Sequence, residues 1–429
     1  MRGGHVVGLA ASVFAGVFGT LAILRHRTFE SGRFDLGNMT QAVWSTAHGD
    51  VLAVTDVHGE QINRLGSHFD PILALLAPLW WLWPSPELLL VLQAAAVGAG
   101  AIPLFLLARR HLPEWPAAAV AVAYLLSPPV QWLTVSDFHP VALAAPLLLG
   151  AWYFLDAGRL LPFALFAAAA IASKEHVGLA VAGMGAWYAL ERRERKPGAV
   201  IALVAGAAAV VAALVVVPAF APAGGAFESR YEELTLDWRD LGYVLRLLLP
   251  LALLPLGAAA ALLAAVPEVL LNVLSTTRTQ TSVQTHYAAT IAPALLVATV
   301  FAVRRLAPSA AFAAAAAAFA GAVALGPVGR IETRADAHDA ALRRAVALVP
   351  DDAAVSTTNA LGAHLSARER ILSFPILDRA DWVAVDTTRL TFMDSLRPDR
   401  SIGPLSDLRR DASWRLVFAE DGVLVFRKG

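Results

Sequence analysis

A polytopic α-helical membrane protein carrying a small C-terminal α/β domain is the fold this sequence predicts, and three observations carry the prediction. Of the 429 residues 57% are hydrophobic and only 16% charged, with a mean hydropathy of +0.59, too apolar for an ordinary soluble domain. The apolar residues gather into segments comparable with the roughly 20 residues that a helix needs to cross a hydrocarbon layer of about 30 Å. After about residue 327 charges return at ordinary density and short β-rich runs begin. A net charge of zero gives no reason to expect a nucleic-acid partner. With no cysteine, disulfides and thiolate chemistry are excluded.

Taken in order, residues 1–24 begin weakly charged, run apolar and lack a small-residue cleavage pattern before Arg25, so they read as a retained first span. About eleven transmembrane helices are expected, at 5–24, 86–108, 115–133, 139–156, 160–173, 176–190, 198–218, 241–256, 257–274, 288–303 and 308–326. Residues 69–83 are also apolar but short, and Trp80, Trp81 and Trp83 place them as a helix lying on the membrane surface. The basic tract at 191–196 belongs in the cytoplasm by the positive-inside rule, which also puts Arg109, Arg110, Arg304 and Arg305 inside. A multi-pass plasma-membrane protein follows, with a cytoplasmic N-terminus and an extracytoplasmic first loop at 25–85. This topology requires 241–274 to cross twice as two short helices punctuated by proline. The membrane part then covers 1–326, and 327–429 forms an extracytoplasmic α/β domain. There a helix runs from Asp336 to Val349, and strands lie within 353–357, 370–374, 382–386, 414–418 and 422–426. The acidic stretch Glu228 to Asp240 reads as a solvated outer helix. No internal repeat or glycine-rich phosphate loop is present.

Residues 25–71 hold six carboxylates and four of the eleven histidines, a density that needs a reason. A helical reading from Asp35 puts Leu36, Met39 and Val43 on one face and Asp35, Asn38 and Ser45 on another, with Gln41 beside them. Asp35 is then either the head of a reactive face or a plain N-cap. Farther on, Asp70 before Pro71 is explained by a turn, whereas His68 is not. Asp137 and His139 could offer an oxygen and a nitrogen to one divalent metal, or act as a base and its orienting partner; the alternative is a helix cap followed by Pro140. Only three of the 34 basic residues are lysine, and Lys174, followed by Glu175 and His176, stands between two short apolar helices. There it could bind a phosphate with Glu175 holding it, or mark a solvated turn. Arg278, His286 and Tyr287 share an outer polar stretch; the guanidinium fork matches phosphate oxygens, though a plain loop also accounts for it. By this topology nine of the eleven histidines, all but His5 and His111, fall on or near the outer face together with every one of these groups. A single reaction site at that face explains the coincidence.

The succession FDLGNMTQAVW, GSHFDP, SDFHP, SKEH, PEVLLN with HYAA, then PDDAAVSTTNALGAHLS and DWVAVD, resembles the bacterial membrane family known as domain of unknown function 2079. That family looks like a distant relative of the C-type glycosyltransferases, which take a sugar from a polyprenyl-phosphate lipid at the outer face. The resemblance implies a hexosyl- or pentosyltransferase that works on a lipid-linked donor and on a cell-envelope glycan, lipid or protein acceptor. It implies Asp35 as general base. Gln41, His68, Lys174, Glu175, Arg278, His286 and Tyr287 would bind substrate, and a divalent metal, Mg or Mn, would sit near Asp137 and His139. Two departures stand out: FDLG has one Asp and no adjacent acidic pair, and His176 replaces a carboxylate in SKEH. The rival readings are a lipid-sugar transporter or flippase and a non-catalytic assembly protein. Transporters place charges near the midplane and often show repeats; here the charges gather at the ends of spans.

Overall fold

The computed structural model describes residues 2–221, 237–395 and 404–429. Four helices are long and apolar enough to cross a membrane, namely Arg2–Arg27, Glu87–Arg109, Arg195–Phe220 and His286–Arg305. Two bent pairs raise the number to six: Glu114–Leu126 with Pro128–Val135, bent by 49°, and Trp238–Leu251 with Leu254–Leu262, bent by 87°. The first bend follows from Ser127, which precedes Pro128 and is held extended at ψ 124°, as a residue before proline tends to be. The second passes through Ala252 and Leu253, both left-handed.

Shorter apolar helices at Pro140–Asp156, Leu160–Ile171, Val177–Glu191 and Ala310–Leu325 stand where spans were expected. At about 1.5 Å per residue they fall short of a hydrocarbon layer of about 30 Å, so by length and composition four to six spans qualify among the described residues, where about eleven were expected. The stretch expected to cross twice is instead the sharply bent pair followed by a short helix, Val266–Val273. Most of the acidic stretch from Glu228 lies outside the described residues; its end, Asp237 with Asp240, forms a capping box for Trp238–Leu248.

The first loop folds as one unit. A π-helical turn, Arg33–Gly37, leads into the helix Asn38–Ala47. An antiparallel hairpin of β1 (Ala53–Thr55) and β2 (Gln61–Asn63) follows, and then the short helices Pro71–Leu76 and Ala77–Trp80. Leu36, Met39, Ala42 and Val43 are buried against Leu73, Leu76, Trp80, Leu89 and Leu90, the face that the helical spacing picked out. Trp81 and Leu82 remain exposed beyond the short helix.

In the C-terminal unit the helix Ala337–Leu348 is capped reciprocally by Asp336 and Asp339. Five strands follow: β3 (Val355–Thr357), β4 (Ile371–Ser373), β5 (Trp382–Asp386), β6 (Trp414–Glu420) and β7 (Val423–Lys428). They pair in the order β4-β3-β5-β7-β6, with β3 parallel to β4 and β5, and β7 antiparallel to β5 and β6. The two faces of β5 show the period of two. Ala384 packs toward Ala341, Leu342 and Ala345, while Val383 and Val385 face Leu405 and Leu408. The β6–β7 turn puts Asp421 and Gly422 at positive φ.

This unit grips the first loop through buried polar contacts. The Arg33 side chain, fully buried, donates from Nη1 to Ser373 Oγ at 2.7 Å and from Nη2 to the carbonyls of Ile371 at 2.7 Å and Thr55 at 3.0 Å. Gln41, expected to touch substrate, is 1% exposed and committed to structure. It donates to Thr55 Oγ1 and to the carbonyls of Arg368 and Glu369, and accepts from Thr55 N. The surfaces approach so closely that a side-chain carbon at Gly32 would fall 2.7 Å from Asn359 Nδ2, and one at Gly37 2.5 Å from Ser366 Oγ. At the same seam the rings of His26 and His364 stack with centroids 4.0 Å apart.

Replacing Arg33 with Met should cost about 3 kcal/mol, because buried acceptors lose a charged donor. Thermal melting in detergent, with limited proteolysis between the two units, would show it; a melting temperature equal to wild type would refute the clamp. A second prediction concerns His338, whose ring meets Asp386 at 3.0 Å and Asp421 at 2.9 Å. Burial acts downward on it, but the two carboxylate hydrogen bonds hold its pKa above the ordinary value. A group raised in the folded state stabilises fully below its unfolded value of about 6.5 and loses that contribution as pH climbs through the folded value. The melting advantage of wild type over His338→Gln should therefore shrink from about pH 6.5 upward; an advantage that grows with pH would contradict the assignment.

Candidate active site

Asp35 sits inside the π-helical turn Arg33–Gly37, and its carboxylate caps no helix: Gly37 precedes the helix Asn38–Ala47, with no side-chain cap bond. Instead Oδ1 meets His139 Nε2 at 3.2 Å, with half of the Asp35 side-chain surface open. His139 Nδ1 lies 2.9 Å from the carbonyl of Asp137. Both ring contacts thus end on oxygens. Burial alone would raise the Asp35 carboxyl; the bond and charge of His139, with Arg25 and Arg64, hold it below its ordinary value.

Asp137 fixes the frame. Its Oδ1 accepts from Arg25 Nη1 and its Oδ2 from Gly32 N, both at 2.7 Å, which joins the end of the first helix, the Asp35 turn and the His139 loop. Gln93 holds the other side of that loop, donating to the carbonyls of Thr134 and Ser136 and accepting from His139 N.

From His139 the cluster continues by ring contacts. His286 stacks on His139 at 3.7 Å between centroids, Tyr287 lies 4.2 Å from His286, and Lys174 Nζ stands 5.7 Å above the Tyr287 ring. Among the described residues no carboxylate comes within ion-pair distance of Lys174. Glu175 is engaged elsewhere, with Oε1 3.0 Å from His68 Nδ1 and Oε2 accepting from Phe69 N. Burial and the Lys174 charge push His68 down to about 3, against the pull of Glu175. Burial would raise the Glu175 carboxyl, but His68 and Lys174 hold it far below the carboxylate range. The turn is anchored by Ile72 N donating to Ala172 O at 3.0 Å, and by His176 against Glu268, also 3.0 Å.

Asp35, His68, Asp137, His139, Lys174, Glu175, His286 and Tyr287 thus belong to one contiguous set. Gln41 lies behind it as structure. Arg278 is exposed in the turn Arg278–Thr281, on the same loop as His286 but with no contact joining it to the cluster. The expected pairing of Asp137 and His139 on a divalent metal does not fit. A guanidinium already stands where the cation would, and both imidazole nitrogens face other oxygens. Among the described residues no group of three His, Asp or Glu is arranged to hold a metal.

The sequence reading missed several positioning groups. Arg64 binds Asp70 Oδ2 through Nε and Nη2 at 3.0 and 2.9 Å, and Asn359 accepts from Phe34 N at 3.3 Å. Gln93 was open to discovery, being a lone amide inside an apolar span. Asn359, more than 320 positions from Phe34, left no local signal.

The fold is similar to that of ArnT from Cupriavidus metallidurans bound to undecaprenyl phosphate, with a TM-score of 0.61 at 14% identity over 98% of each chain. It is likewise similar to apo ArnT from the same organism, with a TM-score of 0.57 at 13% identity over 97% of this chain and 98% of that one. No curated protein matches the sequence. At this identity the likeness concerns the fold alone. The family pattern described as predicted membrane protein (DUF2079) matches residues 25–425, so the chain belongs to the DUF2079 family of membrane proteins.

Proposed function

We propose that the protein is an integral membrane glycosyltransferase that moves a sugar from a polyprenyl-phosphate donor to an acceptor hydroxyl at the outer face of the plasma membrane. The observation that carries this reading is the continuity of contact from Asp35 through His139, His286 and Tyr287 to Lys174. It brings a carboxylate base and a cation without a carboxylate partner into one site, built from loops far apart in sequence. The binding of undecaprenyl phosphate by ArnT, similar in fold, supports a lipid phosphate as the donor's carrier. In this reading the first loop and the C-terminal unit are extracytoplasmic and the N-terminus is cytoplasmic.

The chemistry follows from the groups present. Asp35, ionised and steadied by His139, accepts the proton of the acceptor hydroxyl as that oxygen bonds to the anomeric carbon. The bond between the anomeric carbon and the phosphate oxygen breaks, and its electron pair leaves with the polyprenyl phosphate. Lys174 meets the charge that gathers on the departing phosphate. Glu175, tied to His68 and Phe69 N, keeps the lysine's turn in place without a direct ion pair to it. Asp137 positions the Asp35 turn, a role that needs no metal.

Asp35→Asn should lower kcat for transfer from a labelled polyprenyl-phosphate hexose by about 10²- to 10⁴-fold while leaving undecaprenyl phosphate bound as tightly as in wild type. Full turnover in that variant would end the assignment of Asp35 as base. Lys174→Ala should weaken undecaprenyl phosphate by about ten- to a hundredfold, the worth of one charged hydrogen bond, measured by native mass spectrometry in nanodiscs. Tight lipid binding with no transfer in the wild type, across a panel of hexose and pentose donors, would favour a flippase instead.

A further inference from the structure

Beside the Asp35 cluster lies a recess of about 280 Å³, lined by Arg25, Trp132, Ser136, Ser282, Gln284 and Thr285 among others. Arg25 faces the recess and binds Asp137, which in turn accepts from Gly32 N three residues before Asp35. Ser136 adjoins Asp137, and Ser282 to Thr285 lead directly into His286 and Tyr287 of the cluster. A single loop therefore lines the recess and carries part of the cluster, with Gln284 and His286 two residues apart.

The lining states what the recess would accept. Besides Val135 it presents an indole, a guanidinium, an amide and several hydroxyls, and no carboxylate. The indole is fixed, its Nε1 donating to Leu325 O at 2.7 Å. The Ser136 hydroxyl donates to Trp132 O, and that of Thr285 to the carbonyl of Thr279 or Ser282. Their oxygens keep lone pairs free to accept. The Gln284 amide and the remaining donors of the Arg25 fork supply the opposite polarity. Arg25 brings no net field for an anion, because Asp137 stands 2.7 Å away. A rigid aromatic face ringed by neutral donors and acceptors is complementary to a sugar ring, which offers C–H groups on one side and hydroxyls at its edge. The volume lies at the low end of ligand cavities, which begin at roughly 300 Å³, and suits one ring better than an oligosaccharide.

We propose that this recess is the acceptor subsite, binding an uncharged sugar ring of a glycan and presenting one of its hydroxyls to Asp35. The proposal rests on the glycosyl-transfer reading and narrows its acceptor to a neutral glycan end.

The test uses full-length protein in nanodiscs, with the methyl pyranosides of glucose, galactose and mannose as probes observed by saturation-transfer NMR. Inorganic phosphate serves as competitor, and undecaprenyl phosphate affinity is measured on the same samples. At least one glycoside should bind with a millimolar Kd, and Gln284→Ala and Ser282→Val should each weaken it about tenfold. Melting temperature and undecaprenyl phosphate affinity should not change in either variant, and phosphate should not displace the glycoside. Absence of glycoside binding, binding indifferent to both substitutions, or displacement by phosphate would each overturn the proposal. Failure of wild-type protein to bind undecaprenyl phosphate would count against the donor assignment alone, and a glycoside still lost on substitution would support the recess independently.

Discussion

The Asp137 carboxylate is the constraint from which the rest of the site takes its shape. A buried carboxylate is costly unless it is paired and hydrogen-bonded, and here each oxygen has one short partner, Arg25 on one side and Gly32 N on the other. Those partners come from the end of the first helix and from the turn that carries Asp35. The carbonyl of the same residue receives the His139 ring. Displacement of any one of these segments would leave a buried charge or donor unmatched, so the three are held together. The position of Asp35 against His139 is a consequence of that requirement.

The C-terminal unit extends the same logic. Its sheet places Ile371 and Ser373 so that Arg33, two residues before Asp35, is held by their oxygens. Asn359 supports Phe34 N, and Gln41 closes the seam with Thr55, Arg368 and Glu369. A guanidinium fully removed from water would be very unfavourable without such acceptors. Its presence means that the first loop and the C-terminal unit form one polar interlock. The C-terminal unit therefore holds the turn that carries Asp35 in place.

Charge within the cluster is arranged unequally. His68 is depressed to about 3 by burial and Lys174, so it donates to Glu175 as a neutral ring, and Glu175 remains a carboxylate. Glu175 is thereby occupied with His68 and the Phe69 backbone, while Lys174 rests above an aromatic ring. Its charge is left for a ligand to answer. At the other end Asp35 keeps its charge against burial with help from His139. Carboxylate and ammonium are thus separated by a stack of rings.

The sequence by itself determined the elements. Hydropathy located the apolar helices, spacing found the buried face at Leu36, Met39 and Val43, and β-rich runs marked all five C-terminal strands, because each of these depends on neighbours within a few residues. Motif order also singled out most of the cluster, from Asp35 to Tyr287. Local pattern was silent on partners. Asp35 as a cap, Asp137 as a metal ligand and Gln41 as a substrate contact were all consistent with their immediate surroundings. Only the tertiary structure assigned His139 to the first, Arg25 and Gly32 to the second, and the C-terminal strand region to the third. The breaks in the apolar helices at Ser127 and at Ala252–Leu253 were likewise visible only in the fold. The physical reason is common to all of these: which group satisfies a buried charge, and where a helix breaks, depend on segments a hundred or more residues away or on packing that no local window contains.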